Sequence, residues 1–378
     1  MYDVIVVGAR CAGAATAMLL ARAGHRVLLL DRARFPSDTL STLYIHQPGL
    51  ALLARWGLLE EVLATGSPLL TSLSFTIPGA RLAGPAPVLG SIAGGCAPRR
   101  YALDHLLVEA AGRAGAEFRP RSGVLGLHWE GSAVAGVRCG SGEVERARLV
   151  VGADGRNSTV ARLVRAPFLR QDPKLTYACY SYWSGIPHQG MRLFVRQWAG
   201  TACVPTQDGL TLVAVQFSRT GPAVTDRPRA YRELLRRTSP ELDELIAGGR
   251  QEERLFCCSD LPNYFRRPYG PGWVLVGDAA HHKDPIGARG ITDAFVQAGL
   301  LAGHLDGPLD DGRRVTAALR RYARDLGKEF TTAYEDNLLS ARLDLDSYRA
   351  EMVANQHDPA YVAHFFRGYA GIRAAVRA

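Results

Sequence analysis

The sequence predicts a mixed α/β protein with a Rossmann-like nucleotide-binding domain, an inserted antiparallel-sheet domain and C-terminal helices. Three observations support this fold class. An apolar run, a glycine turn, a helix and a second apolar run occupy residues 4–31. Aromatic-rich alternating segments without intervening helices follow residue 175, and a strand–turn–helix pattern returns after residue 271. The predicted boundaries are 1–70, 96–174 and 262–310 for the nucleotide-binding domain, 71–95 and 175–261 for the inserted domain, and 311–378 for the helical region.

The N-terminal segment predicts a βαβ unit that binds a dinucleotide. Residues 4–7 and 27–30 are continuous apolar runs, as in parallel strands that are buried on both faces. The turn from Gly8 to Gly13 leads directly into a helix, whose free N–H groups and positive dipole end attract an anion. Asp31 follows the second strand, roughly 20 residues after the turn, where a carboxylate can accept hydrogen bonds from a ribose diol.

The turn departs from the dinucleotide-binding pattern at one position. The pattern Gly-x-Gly-x-x-Gly has glycine where this chain has Arg10, and that glycine lets the backbone approach the pyrophosphate closely. One interpretation is that the Arg10 side chain lies along the pyrophosphate and supplies positive charge. The other is a βαβ unit of some different α/β protein. Cys11 is interpreted as a small residue that fits the turn, and not as a redox group.

The composition indicates a globular protein of a reducing compartment. No apolar run approaches the roughly 18 to 20 residues of a membrane span. No basic and apolar leader precedes the first strand, so a cytoplasmic location is expected. The seven cysteines are scattered, and no Cys/His spacing predicts a metal site. The net charge of +9 comes from dispersed arginines without a basic tail, which argues against nucleic-acid binding.

In the first half of the chain, periodicity predicts helices, one strand and a meander. Helices are expected over 50–64, with a break at Gly57, and over 99–113; a strand is expected over 71–77 and a three-stranded meander over 124–151. The meander runs into Gly152-Ala153-Asp154-Gly155. This turn places the Asp154 carboxylate at the carboxyl edge of the sheet, where ligands of open α/β folds bind.

The second half predicts the inserted sheet and then a return to the first domain. Strands are expected over 177–185, 191–195, 201–205 and 210–217, a charged helix over 227–247 and a strand over 254–259. The first domain resumes with a strand over 272–276, the turn Gly277-Asp278, a loop over 283–290 and a helix over 291–305. One or two helices over 315–345 and a helical cap from Tyr348 follow.

Three separated motifs together resemble those of one family. They are the βαβ turn, Gly152-Ala153-Asp154-Gly155, and Gly277-Asp278-Ala279-Ala280-His281 with Pro285 and Gly290. In this order they resemble the flavoprotein monooxygenases of the para-hydroxybenzoate hydroxylase type. That superfamily also includes geranylgeranyl-reductase-like proteins and flavin-dependent halogenases. The resemblance implies FAD bound tightly in the nucleotide-binding domain, a substrate-binding inserted domain, and NAD(P)H as a transient reductant.

The resemblance also implies which residues contact FAD. The helix that begins near Gly290 would direct its dipole at the flavin N1–C2=O edge and stabilise the anionic reduced flavin. The family's loop usually has Gly-Gln where this chain has Ala288-Arg289, so Arg289 either binds an anion or projects into solvent. The expected contacts are Gly8, Arg10, Cys11, Ala12 and Gly13 at the pyrophosphate; Asp31, Arg32, Arg34 and Val124 near the adenosine; Arg100, Asp154, Gly155, Gly277 and Asp278 along the middle of the cofactor; and Pro285, Gly287, Ala288, Arg289, Gly290 and Ile291 along the isoalloxazine.

The family reaction implies an oxygen-transferring enzyme. In it, NAD(P)H reduces FAD, O2 adds to give a flavin C4a-hydroperoxide, and one oxygen atom passes to an electron-rich substrate. The resemblance therefore implies an FAD-dependent monooxygenase that acts on an aromatic or polyketide-like small molecule of secondary metabolism, such as antibiotic biosynthesis. His46 is the candidate catalytic residue, because the segment before the second helix packs beside the flavin in this family. Tyr180, Tyr182 and Trp183 are candidates for lining the substrate cavity.

Three alternatives share the predicted fold. A reductase of the geranylgeranyl-reductase type would transfer hydride instead of oxygen. A flavin-dependent halogenase would use a lysine placed early in the chain, and the absence of any lysine before Lys174 argues against that activity. A non-catalytic flavin-binding protein would shelter a reactive pathway intermediate.

Overall fold

The computed structural model describes residues 1–187, 190–238 and 240–372. Its strands are β1 (Tyr2–Val7), β2 (Val27–Leu30), β3 (Ser72–Ile77), β4 (Ala80–Pro85), β5 (Glu117–Arg119), β6 (Val124–Glu130), β7 (Ala133–Cys139), β8 (Val144–Gly152), β9 (Phe168–Asp172), β10 (Thr176–Ser184), β11 (Met191–Arg196), β12 (Ala199–Pro205), β13 (Thr211–Ser218), β14 (Arg250–Gln251), β15 (Phe256–Cys258), β16 (Asn263–Arg266), β17 (Tyr269–Gly270), β18 (Trp273–Leu275) and β19 (His281–His282).

The helices lie between these strands and after them. They are α1 (Cys11–Arg22), α2 (Gln47–Arg55), α3 (Leu59–Leu63), α4 (Arg100–Arg113), α5 (Thr159–Leu163), α6 (Arg227–Arg237), α7 (Pro240–Ala247), α8 (Gly290–His304), α9 (Gly312–Ala341), α10 (Arg349–Asn355) and α11 (Pro359–Ala370). Single 3-10 turns occupy Gly277–Ala279 and Pro285–Gly287. Among the described residues, no helix is both long enough and apolar enough to cross a membrane.

The first sheet is the predicted nucleotide-binding sheet. Its order is β17-β18-β8-β1-β2-β5, and β18, β8, β1, β2 and β5 run parallel. Val4, Ile5 and Val6 of β1 are fully buried, as a continuous apolar run in a strand covered on both faces requires. The meander β6–β8 extends the sheet, and α1 packs against α4 and α8 in the same core. The mixed α/β fold with an N-terminal βαβ unit is confirmed.

The second sheet is mostly antiparallel, with the order β14-β10-β13-β12-β11-β3-β4, and β15 pairs with the edge of β10. One pair, β3 with β11, is parallel. Alternation along β11 separates two cores: Met191 and Leu193 face a core shared with α10 and α11, while Phe194 and β10's Trp183 face a core shared with α6 and α7.

The structure differs from the sequence predictions in one helical segment and decides between the two alternatives left open for another. The charged helix predicted over 227–247 is two helices, because Pro240 begins α7 and cannot continue the preceding backbone hydrogen bonds. The segment 315–345, predicted as one or two helices, is mostly one helix of 30 residues, α9.

Two cysteines also depart from the expectation of free thiols in a reducing compartment. Cys179 and Cys257 face each other across β10 and β15 and form a disulfide, with their Cα atoms 4.1 Å apart. They are separated by 78 residues in the chain, so only the strand register brings them together.

Candidate active site

The first and second motifs meet directly. Gly8 has a φ of +99°, and a Cβ on it would lie 2.5 Å from the carbonyl oxygen of Ala153. Gly13 is equally restricted, because a Cβ there would overlap the Gly8 carbonyl group. The turn can therefore lie against Ala153 and Asp154 only with glycine at both positions. The first and last positions of the turn therefore need glycine because no side chain fits at these close backbone contacts.

The third motif completes the same junction. Gly277 has a φ of +64°, and a Cβ on it would lie 2.7 Å from the Cβ of Ala12. Its backbone N–H donates a hydrogen bond of 2.9 Å to the Gln297 side chain on α8. The carbonyl oxygen of the next residue, Asp278, accepts a hydrogen bond of 2.6 Å from the Tyr264 hydroxyl. The three motifs therefore form one site at the start of α1.

Arg10 occupies the middle position of the turn without backbone strain. Its φ of −90° and ψ of −167° are extended values that any residue adopts. Its guanidinium group donates to the Asp104 carboxylate at 2.6 Å and to the Ser37 carbonyl oxygen at 2.9 Å. The side chain thus ties α1 to α4 and to the segment after β2, which explains why a large residue is tolerated here.

Asp104 was not among the sequence-predicted residues, yet it organises this part of the site. Its buried carboxylate also accepts hydrogen bonds from Arg100 at 3.0 and 3.1 Å and from the Cys11 thiol at 3.2 Å. Burial raises the pKa of Cys11, so the thiol stays protonated and acts as a donor. The i, i+4 spacing of Arg100 and Asp104 on α4 was the available signal in the sequence.

Asp31, the expected contact of the adenosine ribose, is held by the turn after β1. Its carboxylate accepts backbone hydrogen bonds of 2.7 Å from Ala9 and from Ala33, which leaves further lone pairs for a ribose diol. The segment before Val124 bonds to this turn, since the Ser122 N–H donates to the Asp31 carbonyl oxygen at 2.7 Å. The two nearby arginines, Arg32 and Arg34, are exposed.

Asp154, which was expected to contact FAD, also accepts hydrogen bonds from the start of α5. One oxygen accepts from the Ser158 hydroxyl, and the other accepts from the backbone N–H groups of Thr159 at 2.6 Å and Val160 at 3.2 Å. The carboxylate therefore caps α5. Burial raises its pKa, and these hydrogen bonds oppose that shift. Gly155 follows with a φ of +78°, which allows the sharp turn.

Four helix N-termini in the site lack side-chain caps. Among the described helices of eight or more residues, α6, α9 and α11 begin at an aspartate whose carboxylate accepts from the first turn. By contrast α1, α2, α4 and α8 have no side-chain cap. Helix N–H groups without a cap need another partner. The free N–H groups at the starts of α1 and α8 would suit the phosphate and carbonyl oxygens of FAD.

The loop expected beside the isoalloxazine, Pro285 to Gly290, contacts His46. The His46 Nε2 lies 2.9 Å from the Gly287 carbonyl oxygen, so Nε2 carries the hydrogen and donates it. Nδ1 is then an acceptor, and it has no hydrogen-bond partner among the described residues. Burial lowers the pKa of His46 to about 3, which keeps the ring neutral. Its backbone N–H donates to the Thr292 hydroxyl at 3.2 Å, which joins α2 to the start of α8 beside Ile291.

Two further residues near this loop were missed by sequence reasoning. Lys283 and Asp293 form a buried ion pair with Nζ 2.5 Å from Oδ2. Arg289 lies on the other carboxylate oxygen, with Nε 3.9 Å from Oδ1, and its side chain is 18% exposed, so it does not project freely into solvent. Ala288, which precedes Arg289 in the chain, adopts a φ of +51°. Nothing in the local sequence pattern distinguishes Lys283 from a solvated loop lysine.

The structure divides the three aromatic candidates of β10. Tyr180 and Tyr182 share one face and belong to the core that also contains Ala288 of the loop. Tyr182 lies under the Arg99 guanidinium group, whose central carbon is 3.8 Å from the ring centroid. Trp183 points to the opposite face, where its Nε1 donates to the Tyr231 hydroxyl at 3.0 Å. It is therefore not brought together with the other two.

Comparison with known proteins identifies the class. A family model described as an FAD binding domain matches residues 1–326. The chain belongs to this family. It is 32% identical to a 6-methylpretetramide 4-monooxygenase of Streptomyces rimosus over 356 residues, covering 88% of this chain and 78% of that protein. It is 28% identical to a kynurenine 3-monooxygenase of Salinispora arenicola over 411 residues, covering 97% and 89%.

The solved structures agree at the level of the fold. A flavin-dependent brominase superposes with a TM-score of 0.80 at 18% identity, covering 98% of this chain and 94% of that one. Family membership and the monooxygenase relatives make this chain an FAD-dependent enzyme, an oxidoreductase of the monooxygenase class.

Proposed function

We propose that this enzyme uses NAD(P)H and O2 to insert one oxygen atom into an aromatic or polyketide-like small molecule. The observation that carries the proposal is the core that the loop from Pro285 to Gly290 (the flavin loop) shares with aromatic side chains. Ala288 and Ile286 of the loop pack in the same core as Tyr44 and Tyr182, between the second sheet and the cofactor site. Such an apolar and aromatic lining suits a ring substrate held against the flavin. The two relatives described above are monooxygenases, one named for 6-methylpretetramide and the other for kynurenine.

The chain's own residues have separable tasks in this proposal. The uncapped ends of α1 and α8 would hold the pyrophosphate and the flavin carbonyl groups. His46 stays neutral and offers Nδ1 as an acceptor to a substrate hydroxyl or amine, because its other nitrogen donates to Gly287. Tyr180 and Tyr182 line the cavity and exclude water. The bound flavin supplies the redox and oxygen chemistry.

The test is a coupled measurement on purified, FAD-loaded protein. Given a panel of aromatic and polyketide-like molecules, one substrate should stimulate NAD(P)H and O2 consumption in equal amounts. Under 18O2, the product should carry one labelled atom. A product without label and with a double bond reduced or formed would overturn oxygen insertion in favour of hydride transfer. Failure of the protein to bind FAD would overturn the proposal entirely.

A matched pair of variants tests the placement of the substrate. Tyr180→Ala removes a ring from the cavity face of β10, whereas Tyr177→Ala removes one from the same strand where it stacks on Phe217, 5.2 Å between centroids. Tyr180→Ala is expected to raise KM about tenfold, or about 1.4 kcal/mol. Tyr177→Ala should leave KM within about twofold. Equal changes in KM would contradict the proposed cavity.

A further inference from the structure

A buried cluster of three charges lies at the start of α8. Lys283 precedes the flavin loop, Arg289 is the next-to-last residue of that loop, and Asp293 belongs to the first turn of α8. The Asp293 carboxylate divides its oxygens between the two cations, at 2.5 Å from Lys283 Nζ and 3.9 Å from Arg289 Nε. The side chains of Lys283 and Asp293 are only 5% and 8% exposed.

A buried cluster of charges is an unfavourable way to hold a loop in place, because its ions lose their contact with water. Removing a lysine and an aspartate from water is unfavourable for each ion, and apolar side chains of similar volume often stabilise a core as well or better. Burial lowers the pKa of Lys283, and the adjacent Asp293 carboxylate opposes that shift. Its net charge together with Arg289 is one positive.

The Asp278 carboxylate also interacts with Lys283 and offsets part of this positive charge, whereas His46 and Tyr369 carry no charge. His46 interacts with all three members of the cluster, but burial keeps its ring neutral. Tyr369, whose ring centroid lies 5.3 Å from that of His46, is half-buried, and desolvation raises its pKa, so it is also uncharged. The uncapped N-terminus of α8 adds positive potential of its own. Lys283 and the N-terminus of α8 therefore each contribute positive potential at this point, in a region of low dielectric constant.

We propose that Lys283 and Asp293 are positioning residues that set the reduction potential of the bound flavin through this cluster. Two electrons and one proton, delivered by a hydride or by a chemical reductant and solvent, convert oxidised flavin to its anionic reduced form. One negative charge then remains on the isoalloxazine beside α8. The net positive charge stabilises that product and raises the potential. This inference rests on the proposed placement of the flavin along the loop from Pro285 to Gly290.

The charges give a test that separates electrostatics from structure. Lys283→Met lowers the net charge of the cluster by one, while the double variant Lys283→Met with Asp293→Asn restores it. The midpoint potential of the FAD-loaded protein is measured spectroscopically against a reference dye, at fixed pH and without substrate. For Lys283→Met, we expect the reduced-to-oxidised ratio at a given potential to fall about tenfold, which is about 30 mV for a two-electron couple. The double variant should return close to the wild-type potential.

The control is Lys328→Met, which removes the same charge from an exposed position on α9. If Lys283→Met shifts the potential no more than this control, the proposal is overturned. It is also overturned if the double variant shifts as far as the single one, since the cause would then be structural damage. Should Lys283→Met fail to retain FAD, Arg289→Met carries the same loss of charge and must lower the potential.

These outcomes are independent of the oxygenation test. The potential needs bound FAD but neither substrate nor O2. The protein could bind FAD and show the predicted shifts in potential without oxygenating any substrate. That result would contradict the proposed activity and support the electrostatic proposal.

Discussion

At the scale of single residues, Gly8 and Gly24 form a natural comparison. Both have positive φ values, +99° and +89°, but only Gly8 is crowded: a Cβ on Gly24 would meet no heavy atom within 4 Å. Alanine at either position incurs left-handed strain of about 1–2 kcal/mol. At Gly8 alone, the methyl group also pushes the turn away from Ala153. Gly8→Ala should therefore weaken FAD binding at least tenfold, whereas Gly24→Ala should lower stability and leave the affinity unchanged.

Titration of FAD into apoprotein, followed by fluorescence, measures the affinities of both variants. Thermal unfolding of the apoproteins measures the strain that they share. Equal losses of FAD affinity would mean that backbone strain, and not the contact between the two motifs, determines the turn.

His281 predicts a pH dependence of stability. Its ring is buried, stacks on Phe265 with centroids 4.3 Å apart, and has no hydrogen-bond partner for either nitrogen among the described residues. Burial lowers its pKa well below the usual value. Below about pH 6.5 the His281 ring is protonated in the unfolded chain but stays neutral in the folded protein. The free energy of unfolding therefore decreases as the pH falls. At pH 5 this loss is up to about 2 kcal/mol for the one histidine.

His281→Phe is expected to remove that loss and to increase the free energy of unfolding more at pH 5 than at pH 7.5. Asp284, whose pKa burial raises to about 6, titrates in the opposite sense, so the difference between variant and wild type isolates His281. Urea denaturation at both pH values provides the measurement, with His364→Phe on the exposed side of α11 as the control. A stability difference that does not change with pH would contradict the prediction.

At the scale of elements, the sequence predicts those parts of the site that depend on local backbone chemistry. Glycine turns after apolar strands have few conformations, so the strands before Gly8, Asp154 and Gly277 could be placed in advance. The sequence also shows which of the longer helices begin at a capping residue. An aspartate precedes α6, α9 and α11, whereas arginine or histidine precedes α1, α2, α4 and α8. An uncapped end is informative only when a ligand can take its N–H groups.

Contacts that depend on register could not be predicted in the same way. Trp183 and Tyr182 are adjacent in sequence and aromatic, but the alternation of a strand sends them to different cores. Asp104 and Lys283 are ordinary charged residues until α1 and α8 bring their partners within bonding distance. Composition likewise gave no indication that β15 would bring Cys257 opposite Cys179.

At the scale of the whole molecule, the C-terminal helices join the second sheet to the flavin loop. Phe366 of α11 is buried in the core that contains Tyr182 and Ala288, and Phe365 contacts Phe75 of β3 with centroids 5.0 Å apart. Near the end of the helix, Tyr369 contacts His46, and the backbone of Gly371 lies against the Arg289 guanidinium group. The end of α11 thus forms a wall of the proposed active site.

A wall of this kind should protect the reduced flavin from water and wasteful reaction with O2. Tyr369→Leu opens it beside His46, whereas Tyr361→Leu changes the same residue type on the other end of α11, near Glu351. We expect Tyr369→Leu to raise the hydrogen peroxide released per NAD(P)H several-fold with unchanged FAD content, and Tyr361→Leu to leave that ratio unchanged. A peroxide assay on the two FAD-loaded variants decides the matter. If both variants release the same excess of peroxide, α11 acts through its general packing on the second sheet. If only Tyr369→Leu releases it, the last turn of α11 belongs to the active site. The enzyme then depends on its C-terminal region to couple NAD(P)H oxidation to oxygen insertion, as well as for stability.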